Sequence, residues 1–207
     1  MKLYDISQEV FSCCVYPGDP APVKEQLCSM EQGDMYNLTA FSMCAHNGTH
    51  LDAPKHFIAD GKAVDEIPLS HTVGPAYVAE AKGLVEAREA LEILEKAKQE
   101  SPNAAKRILL KGDLTLTPEG ADVFAQAGMW LVGNEAQTVG PADAPMEVHL
   151  KLLGAGVVLL EGVRLSDVPQ GVYLLNAAPI SLGGGDGAPC RAWLMELGTK
   201  EEAIYRA

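Results

Sequence analysis

Eleven consecutive residues, His46-Asn47-Gly48-Thr49-His50-Leu51-Asp52-Ala53-Pro54-Lys55-His56, hold three of the chain's five histidines and one carboxylate. Imidazole nitrogen and carboxylate oxygen together suit zinc, manganese or iron(II). His50 and Asp52 stand two apart, so an extended backbone turns them to the same side. His46 and His50 stand four apart and would share a helix face. Gly48 and Pro54 oppose a regular helix, however. The stretch therefore reads as a strand ending near His46, then a tight loop turned by Asn47-Gly48 that folds the ligands around an ion. A single histidine is an ordinary surface or core residue. Three with an aspartate at these spacings, in an acidic chain, point to a metal site.

The elements that must carry this loop follow from hydrophobic patterning. Lys2 to Ile6 reads as a strand, and Tyr16-Pro17-Gly18-Asp19-Pro20 as a turn cluster. Val23 to Met30 and Asn37 to Ala45 read as strands. The second is apolar on both sides, which predicts a central strand delivering His46. Phe57 to Asp65 reads as a loop, and His71, alone before a strand at Ala76 to Ala81, as structural. Leu84 to Gln99 has a helical stripe of Leu84, Ala87, Leu91, Leu94 and Ala97, ended by Ser101-Pro102-Asn103. Short strands at Arg107–Lys111, Met129–Val132 and Val157–Leu160 then alternate with helices. One helix starts at Pro118, capped by Thr117, and another spans Pro145–Leu153. Such alternation predicts a parallel sheet with crossover helices. Gly183 to Gly187 lacks the surroundings of a phosphate-binding loop, and Cys190 to Leu197 reads as a closing strand.

A length of 207 residues with 47% apolar composition suits a single domain, 1–207, with a sizeable core. A net charge of -12 and no basic patch argue against a nucleic-acid partner. No apolar run approaches membrane-spanning length, and the N-terminus lacks the basic start and apolar core of a signal peptide. A cytoplasmic location is expected. Cys13, Cys14, Cys28, Cys44 and Cys190 are odd in number and form no Cys-x-x-Cys pair, which reads as free thiols in a reducing compartment. Cys44, two before His46, could approach the metal, but a buried packing role is the expectation.

The pattern His-x-Gly-Thr-His-x-Asp-x-Pro-x-His resembles the signature of the cyclase family of metal-dependent hydrolases, which includes bacterial kynurenine formamidases and isatin hydrolases. The likeness extends from Tyr16 to the last strand. It implies an α/β domain with a layered β/β/α swivelling architecture and a mixed sheet, assembled as a homodimer or larger homo-oligomer. It implies a two-metal centre, with zinc expected and manganese as the alternative. His46, His50 and Asp52 take one ion. His149 takes the second, with Asp52 and Glu161 able to touch both. The frame His149-Leu150-Lys151-Leu152-Leu153-Gly154-Ala155-Gly156 leading to Glu161 matches the family's second motif. His56 is left over for proton transfer. Tyr16 lies where the family places an aromatic residue near the substrate, commonly Trp in kynurenine formamidases, and Asp186-Gly187-Ala188-Pro189 resembles a loop that closes over the site. The implied reaction is hydrolysis of N-formylkynurenine to kynurenine and formate by a metal-held hydroxide. Two alternatives stay open. One is a hydrolase of a cyclic amide such as isatin or of another small acyl compound. The other is a non-catalytic metal- or ligand-binding homologue, against which His56 speaks because metal binding does not need it.

Overall fold

The computed structural model describes residues 2–198. In chain order these form β1 (Leu3–Asp5), β2 (Val23–Cys28), β3 (Leu38–Ser42), β4 (His50–Asp52), α1 (Leu69–Thr72), β5 (Val73–Glu80), β6 (Gly83–Val85) and α2 (Ala87–Glu100). There follow β7 (Arg107–Lys111), β8 (Leu114–Leu116), α3 (Pro118–Gln126), β9 (Leu131–Asn134), α4 (Met146–Gly154), β10 (Val158–Glu161), β11 (Gly171–Asn176), β12 (Gly187–Pro189) and β13 (Trp193–Glu196). Nine strands build one mixed sheet in the order β1-β13-β11-β5-β7-β9-β10-β4-β12. Its middle, β5-β7-β9-β10, is parallel, and its flanks are antiparallel.

The parallel middle forces a crossover between successive strands. All three crossovers step the same way along the sheet, so a common hand puts α2, α3 and α4 on one face. Ala90, Leu94 and Ala97 of α2, Phe124 of α3 and Leu152 of α4 pack there against Tyr77, Ile108, Leu110, Val132 and Leu159. The alternate strand residues Val78, Leu109, Leu131, Val158 and Leu160 fill a second core on the other face. That second core also contains Tyr4 of β1 and Leu51 of β4, strands near opposite ends of the sheet order. The sheet must curl to bring them together, which gives the expected layering of sheet on sheet on helices.

Two expectations need correction. Asn37 to Ala45 is not central and does not run into His46. Its strand, β3, ends at Ser42 and, among the described residues, pairs only with β2 in a separate ribbon whose residues are largely exposed. Apolar residues on both sides fit an uncovered arm as well as a buried strand, and the central positions belong to β5, β7 and β9. The helix expected from Leu84 begins at Ala87. Leu84 belongs to β6, which pairs with β8, and Val85 O there accepts Thr117 N–H at 3.1 Å. The buried stripe of α2 is Ala90, Leu94 and Ala97, whereas Leu91 is exposed. The α3 start is as expected, with Thr117 accepting Gly120 N–H at 3.2 Å ahead of Pro118.

Arg107 ties α1 to the sheet. It is buried, and its guanidinium donates to the carbonyls of Ser70, His71, Val73 and Pro75 while lying 4.9 Å from the Trp130 ring. Trp130 in turn stacks on His71 at 5.3 Å, so the lone histidine is structural, as expected. Burial lowers the Arg107 pKa to about 10, which leaves it charged at neutral pH. Arg107→Met keeps bulk but strands these carbonyls. It is expected to lower unfolding free energy by about 3 kcal/mol, read from the urea midpoint at constant slope. An unchanged midpoint would show that the carbonyls find water instead.

Candidate metal centre

The site is built on β4, which lies between β10 and β12. Its pleat turns His50 and Asp52 to one side and Leu51 into the second core. The β4–β10 register sets Glu161 directly opposite His50. Facing residues of an antiparallel pair project to the same face, so Glu161 joins the two. His149 arrives from α4, where Val148, His149, Leu152 and Leu153 form the buried stripe. Leu152 and Leu153 follow at helical spacings of three and four, so the apolar pair that seats the helix also aims the histidine.

His46 precedes β4 in the expected turn. Asn47 Oδ1 accepts Cys44 N–H at 2.8 Å, and Gly48 takes φ +66°. A Cβ on Gly48 would lie 2.9 Å from Cys13 Cβ. Thr49 Oγ1 donates to Gly162 O at 2.8 Å and accepts Gln8 N–H at 2.9 Å, fixing the turn against two other segments. Pro54 opens a short 3-10 turn, Pro54–His56, which brings His56 back over the site.

The polar atoms meet in a way that calls for a cation. His50 Nδ1–H donates to Gly48 O at 3.0 Å, and His149 Nδ1–H donates to Pro145 O at 2.9 Å. A carbonyl only accepts, so each ring carries its hydrogen on Nδ1 and turns Nε2 inward. His50 Nε2 then lies 3.3 Å from Asp52 Oδ1 and 3.6 Å from Glu161 Oε2. His149 Nε2 lies 3.2 Å from Glu161 Oε1 and 3.5 Å from Asp52 Oδ2. Asp52 Oδ2 is buried with no hydrogen-bond partner. Metal bonds of about 2.0–2.1 Å at tetrahedral angles separate ligand atoms by about 3.3 Å. The spacings fit. Two overlapping sets, His46-His50-Asp52 and Asp52-His149-Glu161, bring their ligand atoms within 4.8 Å of one another, and they share Asp52.

The same crowding of carboxylates and imidazoles shifts their proton affinities. Burial opposes charging His149, but Asp52 and Glu161 override it and raise its pKa to about 10. Burial likewise opposes charging His46, and Asp52 and Asp186 raise it to about 9. Burial and then the Asp52 charge push Glu161 up. Burial pushes Asp52 up too, yet the neighbouring His149, His46 and His50 rings hold it well below the usual range. Glu161 Oε1 also accepts Val139 N–H at 2.8 Å.

Above the cluster opens a cavity of about 640 Å³, lined by Tyr16, Phe57, Thr138 and Pro145 as well as the histidines. Tyr16 lies in this lining, its hydroxyl donating to Ala142 O at 3.0 Å. Cys44 lines it too and is only half-buried, which corrects the expected interior role. His56 is also half-buried. Burial lowers its pKa, and its ring stacks on His46 at 3.9 Å. Tyr16, His46, His50, Asp52, His56, His149 and Glu161, the site residues expected from the sequence, therefore converge here. Asp186 was not assigned a role from the sequence beyond its place in a closing loop. It accepts from His46 Nε2 at 3.0 Å and His56 Nδ1 at 3.3 Å. The loop-closing reading of Asp186-Gly187-Ala188-Pro189 was its only signal. Gln137 and Thr138, also lining, gave none.

The Cyclase family model matches residues 4–141, a span that ends before His149. A kynurenine formamidase of Salinibacter ruber is 34% identical across 95% of this chain and 98% of its own. Another, of Erythrobacter litoralis, is 31% identical across 95% and 94%. A solved "predicted metal-dependent hydrolase from Bacillus stearothermophilus" superposes with TM-score 0.76 at 29% identity, covering 93% of this chain and 97% of that one. An isatin hydrolase bound to the product analogue thioisatinate superposes with TM-score 0.81 at 16% identity, covering 95% and 93%, a likeness of fold. With a family model spanning most of the chain and relatives matched nearly end to end, this protein belongs to the cyclase family.

Proposed function

We propose that this protein is a metal-dependent hydrolase of a carbon–nitrogen amide bond, with N-formylkynurenine as the leading substrate. The observation that carries the reading is the convergence of two inward-turned imidazole Nε2 atoms on two buried carboxylates. His46, His50 and Asp52 would hold one divalent ion, and Asp52, Glu161 and His149 a second. Zinc is the expected metal and manganese the alternative. Bound divalent ions there supply Lewis acidity toward a carbonyl and lower the pKa of water. The substrate choice is supported by the 31–34% identity to kynurenine formamidases, against 16–22% to solved isatin hydrolases.

The chain's own contributions follow from the cavity. Tyr16, Phe57 and Pro145 offer an apolar wall for an aryl ring. His56 stands over the cluster with Nδ1 engaged by Asp186, leaving Nε2 for the departing nitrogen. As water adds to the formyl carbon, the free Nε2 of His56 takes its proton and passes it to the arylamine nitrogen while the carbon–nitrogen bond breaks, so that formate and the amine leave. Asp52 and Glu161 are buried, so divalent cations held there would balance charge that the interior otherwise disfavours.

The remaining parts of the reading have separate supports. The detached β2–β3 ribbon exposes Leu27, Met30, Met35, Tyr36 and Phe41, and a two-stranded ribbon is marginal alone. A second copy of the chain is the proposed cover. Five unpaired cysteines fit a cytoplasmic location. No described helix is long and apolar enough to cross a membrane. The acidic surface favours a small-molecule substrate over nucleic acid.

Loaded with zinc or manganese, the protein is expected to hydrolyse N-formylkynurenine faster than isatin. Turnover of neither would remove the substrate assignment, and turnover of isatin alone would reverse it. Light scattering should return twice the chain mass, and a monomer would refute the dimer. Metal per chain should fall most in Asp52→Ala, by less in His149→Ala and hardly at all in His56→Ala. His56→Ala should instead lose roughly a hundredfold to ten-thousandfold in turnover. Equal metal loss in His56→Ala and Asp52→Ala would make His56 a ligand and end its proton-transfer role.

A further inference from the structure

Asp186 stands on a loop that is fastened at several points. Ala53 N–H donates to Asp186 O and Val64 N–H to Gly185 O, both at 2.9 Å. Gly184 N–H donates to Asp65 Oδ1 at 2.9 Å, and Lys55 Nζ to Gly184 O at 2.8 Å. The next residue, Gly187, enters β12 directly opposite Asp52. A Cβ there would lie 2.6 Å from both His46 Cε1 and Leu51 O, so only glycine lets the loop approach this closely. The carboxylate so delivered uses one oxygen, Oδ2, for two rings: His46 Nε2 at 3.0 Å and His56 Nδ1 at 3.3 Å. The His56 ring is clamped between His46, stacked at 3.9 Å and 26°, and the edge of Phe57 at 4.6 Å.

We propose that Asp186 is a positioning residue that fixes the tautomer and aim of His56 and at the same time braces His46. The inference rests on the amide-hydrolase reading for its catalytic consequence. Its structural half stands independently. A carboxylate oxygen only accepts, so both rings must donate to it. His56 is then held with its hydrogen on Nδ1, and Nε2 is left as the site that faces the reacting nitrogen. His46 Nδ1 points the other way, 2.8 Å from Asp52 Oδ1. With a metal on Nδ1, Nε2–H to Asp186 completes a metal–histidine–carboxylate series of the kind that orients ligands. One side chain thereby couples the metal-holding histidine to the proton-carrying one.

The test compares wild type, Asp186→Ala and Asp186→Asn as zinc-loaded, histidine-labelled proteins. Nitrogen NMR reads the tautomer of each ring, metal analysis the stoichiometry, and steady-state kinetics the rate. Asp186 is half-exposed, so neither variant removes core packing. Wild-type His56 should be the Nδ1–H form. In Asp186→Ala it should move toward the Nε2–H form, and kcat should fall about tenfold to a hundredfold at saturating zinc with KM nearly unchanged. Asp186→Asn, whose amide oxygen still accepts, should keep part of both. An Nε2–H His56 in wild type, or the same tautomer in Asp186→Ala, overturns the proposal. So does a kcat restored fully by saturating zinc, which would confine Asp186 to His46. A third zinc bound by wild type and lost in Asp186→Ala also overturns it, because His46, His56 and Asp186 would then be a metal set. Failure of wild type on every aryl amide would sink the amide-hydrolase reading alone, and the tautomer comparison would still decide the role of Asp186.

Discussion

Two buried carboxylates on adjacent strands set the terms for the rest of the molecule. Asp52 and Glu161 are each about 98–99% excluded from water, and the β4–β10 pairing holds them on one face. Like charges in a low-dielectric interior are costly unless something positive lies between them. His50 and His149 do not by themselves supply it, because a backbone carbonyl fixes each ring's hydrogen on the far nitrogen. The inward nitrogens bring lone pairs, which worsens the imbalance until a metal or an extra proton arrives. The opposite shifts of the two carboxyls, Asp52 down and Glu161 up, express the same conflict. Folding energy from the two cores has to hold this arrangement in place, and cation binding would then return stability to the fold.

That requirement accounts for the short, unusual placement of β4. It is three residues long, yet it sits inside the sheet with β10 and β12 on its sides. Flanking strands lock its register, and a one-residue slip would send His50 and Asp52 into the apolar core and Leu51 into the metal site. The β12 edge brings Asp186, and the β10 edge brings Glu161, so both partners of the ligand strand are also parts of the site. The glycines at 48 and 187 belong to the same logic, since a side chain at either would push the histidine loop out of place.

Much of this was legible in the sequence, for a reason that lies in chain distance. His46, His50, Asp52 and His56 are local, so residue type and spacing alone identified them. The alternating α/β half was legible because its strands are apolar on both faces and its helix α3 has a proline start and a threonine cap. His149 and Glu161 carry no local mark. An isolated histidine on an apolar helix face and a glutamate ending a strand are ordinary, and only the resemblance to a family frame singled them out. The β2–β3 arm was misread because hydrophobicity reports a preference for cover without saying what provides it. Leu84 was taken into α2 because its spacing continued a helical stripe, whereas the competing β6–β8 pairing depends on residues some thirty positions later. Asp186 was invisible as a partner of His46 because its contact spans 140 residues.

The division of labour between secondary structure and loops bears on how such a site can change its substrate. His50, Asp52, Glu161 and His149 lie on strands and a helix, nearly water-free, where a small displacement would be resisted by close packing on both sheet faces. Tyr16, Phe57, His56 and Asp186 lie on turns around the cavity mouth. Turns tolerate replacement more readily than a packed strand does. The cation chemistry therefore depends on the part of the fold that is hardest to alter, and the shape of the wall that meets the aryl ring depends on the part that is easiest. The Tyr16 hydroxyl bonds the carbonyl of Ala142. His56 has less freedom, because its ring is stacked on His46 and bonded to the carboxylate that His46 also uses. On the proposed reading, proton transfer is thus tied to the metal centre, and substrate choice is not.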